Sequence, residues 1–295
     1  MLKQPLSYKE QINRLKEHGM IIGDPAMAES VLHRINYYRF SGYALQFRKS
    51  ANDSTYIEGT TFENVLELCR FDSELRELLR KHLENVELYY RTVISHEFVM
   101  RKCVKSPHDQ HYNEKNYYDK IRFREIRSSF QKEKSYYKDS LIMKHHKKKY
   151  GGKMPLWVMV EMLSFSSLSK LYNCMYFSEK DAIANVVGIN NSMLGNHLHS
   201  LSVLRNKCAH AARLYNTTFY PAVKLSKNTL RKYPEVKNDT LFAYIIVLLK
   251  RLPSQRQRTS FIEDLFVLLD SYKGIIDERL IGFPEKARSI LEWQI

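Results

Sequence analysis

The stretch TFENVLELCRFDSELRELLRKHLENVELYYRTVISHEFVM, residues 61–100, decides the fold. Its apolar residues Val65, Leu68, Phe71, Leu75, Leu78, Leu79, Leu83, Val86 and Val93 recur at three- and four-residue spacing, so they share one stripe of an α-helix. Neither Gly nor Pro interrupts it, and Thr60 or Thr61 can cap its start. A long amphipathic helix running toward Met100 is the expected backbone of the structure.

Working outward, the same periodicity continues almost throughout, with only 10 Gly and 8 Pro in 295 residues. The fold class is therefore all-α. Toward the N-terminus, Ser7 can cap a helix that runs to Gly19. Asp24 followed by Pro25 reads as an N-cap with proline at the first helical position. That second helix is expected to stop before the aromatic stretch Tyr37-Tyr38-Arg39-Phe40-Ser41-Gly42-Tyr43, and a polar turn follows from Ala51 to Gly59.

Toward the C-terminus, residues 104–153 shift to Lys, His and Tyr and read as partly helical and partly exposed. Core character returns at Met154 to Leu163, where Pro155 suits a helix start and Trp157, Val160, Leu163 and Leu168 can face inward. Asn190 to Ser192 cap a further helix, expected to run to about Asn216. A basic loop follows Pro221, and helices are expected near 239–251, 257–272 and 284–293. The division that follows is an N-terminal helical and aromatic region (1–58), a helical core (59–220) with a basic insertion near 104–153, and a C-terminal helical region (221–295).

Composition narrows the function. Against 32 acidic residues stand 47 Lys and Arg, a formal charge of +15, which favours polyanionic partners, nucleic acid first. The four cysteines Cys69, Cys103, Cys174 and Cys208 form no C-x-x-C pair, which argues against a zinc knuckle or a disulfide framework and fits a reducing cytoplasm. The N-terminus shows no apolar stretch of the secretory kind. The longest apolar run, LFAYIIVLL at 241–249, is about half of what a bilayer-crossing helix needs, so a core helix and no membrane association are expected. No Gly-rich phosphate loop and no G-x-S-x-G elbow occur, which argues against an NTPase or an α/β-hydrolase. His145-His146 and His197/His199 lack a carboxylate or thiolate at ligand spacing, so neither a metal nor a cofactor is expected.

The chemistry-bearing helix is Ser192 to Asn216. At about 100° per residue, Leu201, Leu204, Cys208, Ala211 and Tyr215 form its packing seam, while Asn206, His210, Arg213 and Thr217 line the opposite side. Arg205 flanks that stripe. A carboxamide, an imidazole and guanidinium groups together suit phosphate binding and proton transfer. RNA is cleaved without a metal when its 2′-hydroxyl attacks the adjacent phosphorus, given groups to remove and return a proton and a cation for the extra charge. One Arg–His pair supplies one proton-transfer group, so two copies meeting across a two-fold axis would make a fuller site.

Spacing alone is weak. With 20 Arg and 11 His, an Arg followed by His after four to six residues is expected roughly twice by chance, and the chain has four: Arg76/His82, Arg91/His96, Arg101/His108 and Arg205/His210. Arg76 and His82 lie in a charged stretch that reads as a solvated helix face. Arg101 and His108 straddle Pro107 and a helix end. Arg91 and His96 are the rival pair, on the long helix, and could line the same cavity as Arg205 and bind RNA there.

Four segments discriminate where spacing does not. Arg205 to Asn216 (RNKCAHAARLYN) resembles the signature of the Abi-like proteins, the AbiD/AbiF abortive-infection group within the HEPN superfamily. Trp157 to Tyr172 (WVMVEMLSFSSLSKLY) resembles its central block, Ser7 to Arg48 with INYYRFSGYALQFR its N-terminal block, and FDSELRELL at 71–79 also fits. The resemblance spans most of residues 5–220. It implies a HEPN-type helical bundle with N- and C-terminal helical additions, Arg205 and His210 as a catalytic pair, and Asn206 as the polar residue after the arginine. It further implies a phage-defence or toxin component, and relatives are thought to associate with small noncoding RNAs. Members often carry a second histidine after the motif histidine; this chain has Ala211 there.

The expected activity is a metal-independent endoribonuclease leaving 2′,3′-cyclic phosphate ends and acting as a homodimer. The alternatives are a non-catalytic binder of a structured small noncoding RNA, and an interaction module with the stripe buried at a dimer seam. Arg213 and the cluster Lys144, Lys147, Lys148 and Lys149 are candidate RNA contacts, the cluster reading equally as a solvated charged loop. The doublets Tyr37-Tyr38, Tyr89-Tyr90, Tyr117-Tyr118 and Tyr136-Tyr137 either stack bases or place one ring in the core and one at the surface.

Overall fold

The structure, a computed structural model, describes residues 4–294. The first three residues of the N-terminal segment and the last residue of the C-terminal region lie outside them. Among the described residues the chain forms fourteen α-helices, four short 3-10 turns and only isolated β-bridges. The chain is all-α, as its periodicity requires.

The helices are α1 (Tyr8–Glu17), α2 (Pro25–Arg34), α3 (Tyr37–Ala44), α4 (Phe62–Lys102), α5 (Lys120–Tyr136), α6 (Leu141–Tyr150) and α7 (Leu156–Met159). They continue as α8 (Phe165–Cys174), α9 (Phe177–Val186), α10 (Asn191–Ala209), α11 (Lys227–Lys232), α12 (Leu241–Arg251), α13 (Gln255–Ser271) and α14 (Ala287–Glu292). Two compact units result. One holds the chain up to Leu75 with Leu265–Asp277, the other Arg76–Asp264 with Glu278–Ile295.

In the first unit, Ser7 forms a full capping box with Glu10 at the start of α1, and Asp24 accepts from the Ala26 and Met27 backbone N–H groups ahead of Pro25. Two reciprocal bonds at one end and a preset φ at the other satisfy donors that a bare helix start leaves open. α1 and α2 pack together. The aromatic stretch, expected only to follow a helix, forms α3, with Asn36 accepting from the Tyr38 N–H. Phe40 stacks on Phe62 with centroids 4.3 Å apart, and the Tyr43 hydroxyl donates to the buried Asp72 carboxylate at 2.6 Å.

The second unit carries all the candidate site residues. Its α12 is buried at every position from Leu241 to Leu249. Each fully buried aliphatic or Phe side chain there stabilises by roughly 1.5–3 kcal/mol, so α12 is the hydrophobic axis of the unit. α10 packs on α12, α9 and α8, and α5 on α8. Gly195 permits the α8 approach: a Cβ there would stand 2.5 Å from the Asn173 side-chain oxygen. His197 is a core histidine. Its Nε2 bonds to the Lys224 carbonyl at 2.7 Å, and burial pushes its pKa down to about 3.

Three expectations fail for identifiable reasons. Trp157 is 51% exposed, because the helix opened after Pro155 is a single turn, too short to hold the 3.6-residue register. Val160, Leu163 and Leu168 are buried as expected. Arg76 and His82, read as a solvated face, are 6% and 2% exposed. The early part of α13 covers His82, which packs on Phe261 at 4.7 Å and approaches Asp264 at 3.7 Å, while Arg76 donates to the Ala212 carbonyl at 3.4 Å.

The third failure bears on the site. α10 ends at Ala209, not near Asn216, and His210 is its C-cap. Ala211 takes a left-handed φ of 52°. The Ala212 N–H then reaches the Lys207 carbonyl at 2.9 Å and the Ala211 N–H the Cys208 carbonyl at 3.3 Å, the bond pair of a Schellman motif. Glycine or asparagine normally occupies that left-handed position, and without either the stop signal is absent from the sequence. An alanine there carries a cost of roughly 1–2 kcal/mol. Ala211→Gly should raise the unfolding free energy by about 1 kcal/mol, and Ala211→Val should lower it, in urea unfolding followed by circular dichroism.

Candidate functional site

Asn190 caps the start of α10 through the Met193 N–H, and Leu194, Leu198, Leu201 and Leu204 bury its inner face. That anchoring leaves Arg205 and Asn206 half-buried on the last turns and His210 exposed at the terminus. Arg213 lies beyond the left-handed Ala211. It is half-buried and out of register with Asn206 and His210, so the four-residue stripe is reduced to those two with Arg205 at its side.

A carboxylate that sequence reading passed over organises the arginines. Glu87 of α4, buried, accepts from Arg91 Nη2 at 2.5 Å and lies 3.4 Å from Arg205 Nε. Arg91 is consumed structurally. Its Nη1 donates to the Glu161 carbonyl at 2.8 Å and its Nη2 to the Leu163 carbonyl at 2.8 Å. Among the described residues Arg205 pairs through its Nε alone, and its side chain remains 37% exposed. Its terminal Nη groups have no hydrogen-bond or ion-pair partner among those residues. Asn206 Nδ2 donates to Ser166 Oγ of α8 at 3.0 Å, which fixes the carboxamide beside the arginine.

Two hollows meet at Arg205. One, of about 670 Å³, includes Glu77, Arg80, Lys81, Glu84 and Ala209 with Glu87 and Arg91 in its lining. The other, of about 390 Å³, includes Tyr136, Tyr137, Met162 and Leu163 with Arg91 and Arg205. Of the rival pair, then, Arg91 lines both hollows with Arg205, whereas His96 is exposed elsewhere on α4 and lines neither. Lys144, Lys147, Lys148 and Lys149 are exposed on α6, a helix that Ser140 caps and Gly151 ends in the left-handed region. The basic cluster is helical rather than a loop.

Glu87 was visible in the sequence as an i, i+4 partner of Arg91, a spacing shared by many surface pairs. Nothing local marks it as the buried one. Ser166 had no signal either, because its value comes from α8 facing α10.

The chain is all-α and holds an arginine, a carboxamide and an exposed histidine at one helix end, with two hollows sharing that arginine in their lining. The chain belongs to the Abi-like protein family, whose profile matches residues 30–216. The family places it with abortive infection, a phage-defence response. No curated protein and no solved structure matches the chain. Among the described residues, no helix is long and apolar enough to cross a membrane.

The ion-pair geometry separates two variants. Glu87→Ala leaves Arg91, whose side chain is only 13% exposed, without its nearest carboxylate, and should cost about 3 kcal/mol in chemical denaturation. Arg205→Ala removes the more exposed partner and should cost about 1 kcal/mol or less. Equal losses would refute the division between a structurally anchored Arg91 and a weakly held Arg205.

Proposed function

We propose that the chain is a metal-independent endoribonuclease of the HEPN type acting in phage defence. The observation that carries this reading is that Arg205, with its Nη groups unspent, and the exposed His210 sit within the last turn and a half of one rigidly packed helix.

In this reading Arg205 binds the scissile phosphate and stabilises the extra charge as the 2′-oxygen bonds to phosphorus. His210 transfers a proton. As the 2′-oxygen–phosphorus bond forms, the bond to the 5′-oxygen breaks, leaving a 2′,3′-cyclic phosphate and a 5′-hydroxyl. The 2′-proton goes to one base, and the 5′-oxygen receives a proton from one acid. A single His210 fills one of these roles, so a homodimer in which His210 of a second copy fills the other completes the reaction. Asn206, held by Ser166, orients the group next to it. Arg213 and the exposed lysines of α6 add phosphate contacts further along the RNA. The excess of positive charge supports an RNA partner.

Labelled RNA incubated with the protein in EDTA should be cut to products with cyclic phosphate ends. His210→Ala and Arg205→Ala should each slow cutting by at least ~100-fold. Cutting that persists in both variants would sink the reading. Tight RNA binding without cutting, insensitive to His210→Ala, would instead establish a non-catalytic binder of a structured small RNA.

The α6 lysines have their own test. Replacing Lys144, Lys147, Lys148 and Lys149 by Gln should flatten the dependence of log affinity on log salt by about 0.7 for each lysine that meets a phosphate of a single strand. An unchanged slope would assign α6 to solvent.

A further inference from the structure

In three of the four tyrosine doublets at least one ring is buried or half-buried. Tyr90 and Tyr117 are buried, and Tyr37 is half-buried beside an exposed Tyr38. Tyr136-Tyr137 departs from that pattern. Its rings are 84% and 42% exposed at the end of α5, and among the described residues neither ring nor hydroxyl has a partner. Exposing two adjacent aromatic rings forfeits burial that the other doublets obtain.

Their position gives that exposure a use. Tyr136 and Tyr137 line the same hollow of about 390 Å³ as Arg205 and Arg91, with Met162 and Leu163 as apolar wall. One end therefore offers a guanidinium with open Nη groups, the other flat apolar rings. A nucleotide has the matching polarity, an anion at one end and a flat base at the other. Glu133 decides against the backbone simply continuing through. Its Oε1 accepts from the Ser164 and Ser167 hydroxyls at 2.8 and 2.7 Å, while among the described residues its buried Oε2 has no hydrogen-bond partner. A carboxylate in that wall repels a second phosphate and tolerates a neutral base.

We propose that Tyr136 and Tyr137 form a base-stacking subsite that seats one unpaired nucleobase of single-stranded RNA beside the phosphate held at Arg205. This rests on the RNA-cleaving reading for its phosphate and adds a requirement that the substrate be unpaired there. In a duplex the base stays in the stack and cannot enter the hollow. Stacking tolerates any of the four bases, because each has a π-face.

The experiment uses the full chain carrying His210→Ala, so that RNA is not consumed, and a single-stranded oligoribonucleotide containing 2-aminopurine, whose fluorescence falls on stacking. Binding should quench the probe. Tyr136→Ala and Tyr137→Ala should weaken affinity by roughly fivefold to a hundredfold and reduce the quenching, as expected for loss of one stacked base. Tyr136→Phe and Tyr137→Phe should retain both, since the ring and not the hydroxyl is used. Affinity for duplex RNA should be unchanged in all four variants.

Affinity and quenching that survive both alanine variants, or a probe that is bound without quenching, overturn the subsite. The cleavage reading is judged separately, on wild-type protein and unmodified RNA. Cutting by wild type together with tyrosine-independent binding removes the subsite and leaves the nuclease. Tyrosine-dependent quenching without any cutting keeps the subsite and removes the nuclease. An absence of RNA binding removes both.

Discussion

One carboxylate serving two guanidinium groups holds the candidate site together. Glu87 faces Arg91 on its own helix and Arg205 on α10, and Arg91 extends the link to the carbonyls of Glu161 and Leu163. A buried carboxylate costs several kcal/mol in lost hydration unless charge and hydrogen bonds offset it. The two arginines offset it unequally. Arg91 is locked by three acceptor atoms, one each on Glu87, Glu161 and Leu163, whereas Arg205 gives one nitrogen to Glu87 and lines the hollow with the rest of its side chain. The same ion pair thus fixes helix α4 against the α7–α8 segment and aims the residue most suited to a phosphate.

The end of α10 is the second constraint. Had the helix continued to Asn216, Arg213 would have stood one face with Asn206 and His210. The left-handed Ala211 turns the chain instead, places His210 at the exposed terminus and lets Arg76 donate to the Ala212 carbonyl at 3.4 Å. Backbone strain of this kind persists only where surrounding bonds hold it, and it is found most often next to functional groups. Here the two Schellman bonds and the buried Arg76 hold it.

Much of the helical framework was legible. The α4 stripe, the Ser7 capping box, the Asp24-Pro25 start and the apolar α12 all follow from periodicity and cap chemistry, which act within a few residues of chain. Within the site, Arg205, Asn206 and His210 were legible as a short motif, and the family match gives that motif its context. Arg91 was legible as a candidate for the same cavity, but its role as a structural anchor was not. The tyrosine doublets were legible only as a repeated pattern; which one stays exposed was decided elsewhere.

The amino-acid sequence by itself determined most of the helices and their apolar faces, which depend on neighbours three or four residues away, and it carries the positive charge and the Arg–Asn–His motif in its composition and order. Tertiary structure alone decided which charged residues are buried, that α10 stops at Ala209, that Glu87 and Ser166 stand beside the motif, and that Tyr136 and Tyr137 share a hollow with Arg205. Those outcomes depend on which distant helix covers a given face. A Glu on α4 has the same local signature whether α10 lies against it or water does, and only the packed chain distinguishes the two.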